Sequence, residues 1–392
     1  MNIGTFAGDT IERCSMTVTW LDVDVLPFSL FLLLATVVLI QSWFYWYIFF
    51  RLALCHRRIE TKPEGGISVV ICAHNEHPRL RDNLPAILQQ DHPKFEVLVV
   101  NHSSDDDTQY LLSDLADRYS NLRCITVRED LNFFSGKKFP LSIGIKSAQY
   151  DHILLTDADC RPASPQWIRM MHAAFSGSRE IVLGYGPYLS KKGLLNMLIR
   201  FDTAHIALQY LSYALTGIPY MGVGRNLAYS RNLFYRSKGF ISHYKIISGD
   251  DDLFINRVAT GNNTAIVVDP AACTLSEPKD TFSSWFLQKR RHLSTAYHYR
   301  FIHKLLLGSY SLTTLLYYLV AVMMLLMQYS TLPVIGLILL RIAGQYIVFI
   351  GCFRKLNEKD LAPFVLPFEL ALGSINLMAM VSNLFQRTNR WR

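Results

Sequence analysis

Two groups of carboxylates in this chain could do chemistry. In "DHILLTDAD" (151–159), Asp157 and Asp159 close an apolar run. On a strand the i, i+2 spacing points both side chains to the same side. Two carboxylates at a strand end suit a hard divalent cation, Mg2+ or Mn2+, that also ligates phosphate oxygens. In the plainer reading Asp159 opens the turn "DCRPASPQW" and Asp157 is only solvated. The second group is "ISGDDDLFINRVATG" (247–261), with Asp250, Asp251 and Asp252 side by side. Adjacent negative charges repel, so a metal, a helix terminus, water or a catalytic task must hold them. Ser248 and Gly249 followed by acids would open a helix with a Ser cap and an acidic first turn, which accounts for Asp252.

The elements that must position these residues alternate. "GISVVICA" (66–73), "FEVLVVN" (95–101), "LRCITV" (122–127) and 151–159 read as strands. "HPRLRDNLPAILQQ", "DDDTQYLLSDLADRYS" and "KKFPLSIGIKSAQ" between them have helical spacing. That alternation predicts an α/β fold with a mostly parallel sheet covered on both faces. Ligands of such sheets bind beyond the carboxyl ends of the strands. The polar residues there are His74, Asn75 and Glu76 after Ala73, then Asn101 and His102, then Asp157 and Asp159. Neither G-x-G-x-x-G after the first strand nor G-x-x-x-x-G-K-[ST] occurs, which argues against dinucleotide and P-loop chemistry.

The 392 residues suffice for more than one domain. An apolar content of 51%, a charged fraction of 18% and a mean hydropathy of +0.18 point to a chain partly in a membrane. The net charge of +8 suits a face on anionic lipid or an anionic substrate. Without a long basic tract or a nucleic-acid motif, no nucleic-acid partner is expected. Seven scattered cysteines with no C-x-x-C fit a reduced compartment, with neither a disulfide framework nor a zinc site.

Residues 1–24 read as a short tail and 25–52 as an uncleaved anchor. Arg51, Arg57, Arg58 and Lys62 follow, which places the chain beyond them in the cytoplasm. Residues 60–280 form the catalytic domain. Residues 281–307 form a basic, aromatic interfacial helix, and 191–219 is a further amphipathic candidate for interfacial placement or domain packing. Residues 308–392 hold two to three spans: 309–330, 332–353 and 361–385. In the last, Pro363, Pro367 and Glu369 hint at a broken or re-entrant segment, and a single crossing would strand the basic tail "QRTNRWR" outside. Arg341 and Glu369 lie at membrane depth, as a functional pair or a mutual ion pair.

Six segments in order resemble the membrane-integrated glycosyltransferases of family 2, which have a GT-A fold. They are "CAHNE" (72–76), "VVNHSSDDDT" (99–108), "GKKFPLSIG" (136–144), "TDADCRP" (156–162), "SGDDDLF" (248–254) and "QKRRH" (288–292). "GVGRNLAYSR" (222–231) resembles the family's Gly-rich acceptor-side segment. The resemblance covers roughly residues 65 to 295. It implies a nucleotide-sugar donor, with Ala73, His74, Asn75, Glu76, Asn101 and His102 around base and ribose. It sets Lys137, Gln288 and Arg291 toward the phosphates and Asp157 and Asp159 on Mg2+ or Mn2+. It makes Asp251 the general base, with Asp250 second and beside it on the acceptor side.

The expected activity is metal-dependent, inverting transfer of a hexose, from a UDP-sugar in the first instance, to a lipid-linked or glycan acceptor. The setting is the plasma (inner) membrane with the catalytic domain cytoplasmic and membrane lipid as a further partner. A processive polysaccharide synthase is the alternative, and an inactive nucleotide-sugar-binding subunit of a polysaccharide export complex is a second. Asn101-His102 replaces the family's paired Asp, and His292 replaces a Trp that resembles the acceptor-stacking platform of polymerising members.

Overall fold

The computed structural model describes residues 25–55, 65–128, 136–246 and 248–385. The tail 1–24, the basic residues Arg57, Arg58 and Lys62, and the basic tail 386–392 lie outside the described residues.

The described residues begin with α1 (Val25–Trp43), which widens into a π-helical stretch (Phe44–Phe49) and ends in α2 (Phe50–Ala53). Then β1 (Ile67–Ala73), α3 (His77–Leu88), β2 (Phe95–His102), α4 (Thr108–Arg118), β3 (Leu122–Val127), α5 (Lys138–Ser147) and β4 (His152–Leu155) alternate. These are the strands and helices the apolar runs predict. Seven buried residues in a row make β1 an interior strand. Gly144 lets α5 lie close on the sheet, because a Cβ there would stand 2.6 Å from Val70 Cγ1.

The second half is less regular: β5 (Cys160–Pro162), α6 (Trp167–Ala173), β6 (Ile181–Leu183), α7 (Leu194–Leu215), β7 (Leu227–Ser230), α8 (Arg231–Arg236), α9 (Asp252–Val258), β8 (Thr264–Ile266) and β9 (Thr274–Ser276). The main sheet has seven strands in the order β3-β2-β1-β4-β7-β6-β8. β1 to β4 are parallel, β7 runs antiparallel to β4 and β6, and β8 is parallel to β6. β5 and β9 form a separate antiparallel pair. The order turns back between β1 and β4, so the ligand crevice of this topology lies beyond their carboxyl ends.

The expected strand 151–159 is cut short. β4 ends at Leu155, and the Cys160 amide donates to Asp157 O at 3.1 Å, closing a turn into β5. Asp157 and Asp159 therefore come together on a turn and not on one face of a strand.

The chain continues with α10 (Phe282–Leu293), α11 (Phe301–Met327), α12 (Thr331–Lys355) and α13 (Val365–Phe385), the last preceded by a 3-10 stretch, Lys359–Phe364. Val25–Ala53, Phe301–Met327, Thr331–Lys355 and Lys359–Phe385 are each long and apolar enough to cross a membrane. The expected interfacial helix 281–307 is broken: it splits into α10, a 3-10 turn at Ala296–His298 and the start of α11. The 191–219 segment is not laid on a surface either. α7 buries twelve residues, among them Phe201, Leu208, Tyr210 and Tyr213, between the sheet and the apolar helices. One apolar core runs from Val70 and Leu155 through α7 to Phe49, Phe349 and Phe368, so sheet and helices form one packed body.

Arg341 and Glu369 pair at 2.8 Å with Gln345, Gln41 and Tyr318 around them. This is a mutual, hydrogen-bonded ion pair joining α1, α11, α12 and α13. The segment Lys359–Phe385 starts beside the end of α12, reaches Arg341 at Glu369, and returns to α10, where Asn383 bonds Arg290 O at 2.9 Å. Both of its ends lie on the side of the catalytic domain.

Candidate active site

The site is built from the ends of β1, β2 and β4 and three later loops. After β1, Asn75 takes a left-handed φ of 56°, and after β2, Ser103 takes 49°. Such conformations cost about 1–3 kcal/mol for non-glycine residues and persist where neighbours over-determine them. Here the Asn75 amide donates to Ser104 Oγ at 2.9 Å and its Oδ1 accepts from the Asp105 amide at 2.8 Å. His74 Nδ1 meets His102 O at 2.7 Å. Glu76 holds Arg79 through both oxygens, at 2.9 and 2.7 Å, and burial raises its pKa. Asn101 is buried and gives its amide to Gln109 at 2.9 Å, and its Oδ1 has no partner among the described residues.

Asp157, Asp159 and Cys160 place one ligand atom each within 4.8 Å of the others. Burial pushes the Cys160 thiol up to about 12, so it stays protonated and gives Ser276 a contact at 3.0 Å. The usable donors are then two carboxylates, a hard oxygen set. Lys137, at the head of α5, pairs with Asp157 and stands 3.9 Å from Asp250 Oδ2. Burial would raise the Asp157 pKa, but the Lys137 ammonium outweighs it and holds the carboxyl below its ordinary range. Asp159 is raised by burial and by the charge of Asp157.

The three acids separate by partner. Asp250 faces Lys137, and burial together with Asp251 raises its pKa. Asp251, not Ser248, is the N-cap of α9: its Oδ1 accepts from the Asp252 amide at 2.7 Å. Its Oδ2 accepts from the Gly224 amide at 2.7 Å. A Cβ on Gly224 would stand 3.3 Å from that oxygen, so glycine leaves the approach open. Asp252 opens α9 but turns inward, to the hydroxyls of Thr295 and Tyr299, and burial pushes it up to about 7.

Gln288 and Arg291 reach the same crevice from α10. Gln288 donates to Tyr188 Oη at 3.1 Å, and the Arg291 charge lowers the Asp157 pKa. The intervening residues fasten the helix. Lys289 pairs with Asp202 of α7 at 2.7 Å, and Arg290 donates to Asn383 of α13 at 3.2 Å. His292 is exposed.

Two contributors were not singled out from the sequence. Arg225 stacks its guanidinium 4.3 Å from the Tyr188 ring centre, and its charge acts on Asp157 and Asp159. It stands inside "GVGRN", and only its placement marks it. Lys138 ties Ile246 O, His243 O at 3.0 Å and Ser248 O at 2.6 Å, fixing the approach to Asp250. The doubled lysine was its signal. Arg225 Nη1, Arg291 Nε, Gln288 Oε1 and Asn101 Oδ1 are all buried without partners among the described residues. Unpaired buried donors at two guanidinium groups, beside two carboxylates, suit an anionic ligand that brings a divalent cation.

The mixed, mostly parallel sheet with paired acids beyond β4 is a GT-A-like α/β fold. The family described as Glycosyl transferase family 2 matches residues 68–237. A Bacillus subtilis protein named "Probable glycosyltransferase YdaM" is 24% identical over 295 residues, covering 72% of this chain and 65% of that protein. The poly-beta-1,6-N-acetyl-D-glucosamine synthase of Staphylococcus epidermidis is 29% identical over 104 residues, 26% of this chain and 23% of the synthase. The chain thus spans under two thirds of the length of either relative. The solved mannosyltransferase PcManGT of Pyrobaculum calidifontis, in complex with GDP-Man and Mn2+, shares the fold. Its TM-score is 0.56 at 16% identity, covering 90% of this chain and 99% of that one.

Proposed function

We propose that the chain is a membrane-integrated, inverting glycosyltransferase that moves a hexose from a nucleotide-diphospho-sugar to a lipid-linked or glycan acceptor. The observation that carries this is the joining of Asp157, Asp159, Lys137 and the Asp250–Asp251 pair in one crevice where the strand order turns back.

Asp157 and Asp159 would hold Mg2+ or Mn2+, which neutralises charge on the leaving diphosphate. Ala73, His74, Asn75, Glu76, Asn101 and His102 bound the base and ribose end, with a UDP-sugar the first donor to test. Lys137, Arg225 and Arg291 add fixed positive charge toward the phosphates, and Gln288 braces Tyr188 under Arg225. Asp251 takes the acceptor hydroxyl proton as the acceptor oxygen bonds the anomeric carbon and the bond from that carbon to the phosphate oxygen breaks. Its two backbone bonds fix its direction, and each oxygen keeps a second lone pair. Asp250 serves as the anionic partner of Lys137 beside it.

The four apolar helices packed on the sheet support a crevice near a membrane. Arg51 ends the first, Lys304 begins the second, and Arg354, Lys355 and Lys359 lie between the last two, all toward the catalytic domain. Basic flanks stay cytoplasmic, which supports a cytoplasmic catalytic domain, and a plasma (inner) membrane is the setting we propose.

The deciding experiment is a donor screen by nucleoside diphosphate release from the purified full chain in lipid. Turnover of one donor that is lost in Asp159→Asn supports the reading. No turnover of any donor, with lipid-linked and glycan acceptors supplied, overturns it in favour of a binding subunit.

A further inference from the structure

A groove of about 380 Å³ opens between the end of α12 and the 3-10 stretch before α13, away from the crevice. It is lined by Tyr346, Ile350, Arg354, Lys359, Ala362 and Pro363. Tyr346, Ile350 and Arg354 are four residues apart, so they form one stripe on α12, aromatic, then aliphatic, then cationic. The stripe spans about 12 Å along the helix axis. Tyr346 Oη donates to Pro363 O at 3.4 Å and closes the end of the groove farther from Arg354. Arg354 and Lys359 are exposed at the shallow end, level with the basic ends of the other apolar helices. Glu358 and Asp360, which flank Lys359 in the sequence, both pair with Arg200, at 2.5 and 2.7 Å.

We propose that this groove binds an anionic phospholipid of the surrounding leaflet, its phosphate held by Arg354 and Lys359 and its proximal acyl chain laid along Ile350 and Tyr346. A topology signal needs only basic residues near the end of a span. It does not require two of them to converge on a groove with an apolar floor, and Lys355, equally basic, is not part of the lining. The apolar depth selects a lipid over a soluble phosphate. The groove also abuts a joint: Glu358 and Asp360 bind Arg200 of α7, and Glu358 accepts from Tyr185 Oη at 3.2 Å, just beyond β6. The proposal rests on the membrane placement above and not on the sugar chemistry.

The test is native mass spectrometry of the delipidated full chain titrated with dioleoyl phosphatidylglycerol, dioleoyl phosphatidylcholine and glycerol 3-phosphate. Phosphatidylglycerol should be retained in preference to phosphatidylcholine. Arg354→Ala with Lys359→Ala should weaken it about thirtyfold, given the usual contribution of one basic residue at an anionic surface. Lys355→Ala should leave it unchanged, and the charge-keeping pair Arg354→Lys with Lys359→Arg should restore retention. Equal retention by wild type and the double alanine variant overturns the proposal, as does competition by glycerol 3-phosphate at the lipid's own concentration. Donor turnover measured on the same samples separates failure of this site from failure of the glycosyltransferase reading.

Discussion

Asp251 accepts the amide proton of Gly224 at 2.7 Å, which ties the acid run to the glycine-rich segment 222–231. Its neighbour Asp250 instead faces Lys137. Two carboxylates one peptide bond apart thus have different partners, and the proposed roles differ with them. Asp251→Asn should keep donor binding and lose transfer by about 10²–10⁴-fold, the usual worth of a positioned base. Asp250→Asn should weaken donor binding first. Steady-state kinetics with donor binding measured separately decides between them, and a reversed pattern would exchange the two roles.

Chelation should abolish turnover, with Mg2+ or Mn2+ restoring it. Asp159→Asn should lose about 10²–10³-fold even with metal in excess, because the diphosphate charge loses a counter-cation. Full activity of this variant in nucleoside diphosphate release would remove the metal from Asp159.

Asn383→Ala removes the two bonds that Asn383 makes with Arg290 and leaves only the longer one, 3.4 Å, from Arg290 to Ser382 O of α13. Gln288 and Arg291, on either side of the fastened pair, then lose their fixed placement. We expect kcat/KM to fall about tenfold with little change in thermal midpoint, as small misplacements of a positioning group do. An equal fall in both would mark the contact as merely structural.

Arg200→Met leaves Glu358 buried without its cation, which costs about 3–5 kcal/mol. Thermal unfolding in lipid should drop sharply. Adding Glu358→Gln should recover much of the loss, since it removes the stranded charge.

His92, His172 and His152 form a buried relay, with contacts of 2.9 and 2.7 Å, and desolvation lowers His172 to about 3. The unfolded chain binds a proton on His172 below its ordinary pKa of about 6.5, and the folded chain does not until about 3. Stability from this group is present above about pH 6.5 and falls by up to about 1.4 kcal/mol per unit as pH drops below it. The stability gap between wild type and His172→Gln should shrink with that slope in denaturant titrations from pH 7 to 4. A pH-independent gap refutes the buried neutral imidazole.

The parallel half of the sheet was legible because strands covered on both faces are unbroken apolar runs, as in Ile67–Ala73. β6, β8 and β9 were not, since three residues carry no period. Asp157 and Asp159 were found by spacing, yet their turn could not be foreseen, because where β4 stops depends on its partners. The roles of Asp250, Asp251 and Asp252 were equally hidden. Chemically identical side chains are told apart only by Lys137, Gly224 and Thr295, which folding brings from distant parts of the chain. α7 stayed open between interface and domain packing for a related reason: an apolar helix edged with Arg200 and Asp202 looks the same whether those charges meet water or, as here, Glu358 and Lys289.

The alternation on α10 has a practical meaning. Gln288 and Arg291 address the crevice while Lys289 and Arg290 grip α7 and α13. A catalytic domain cut free before residue 301 would keep its sheet and its acids and would leave this helix hanging by one hand.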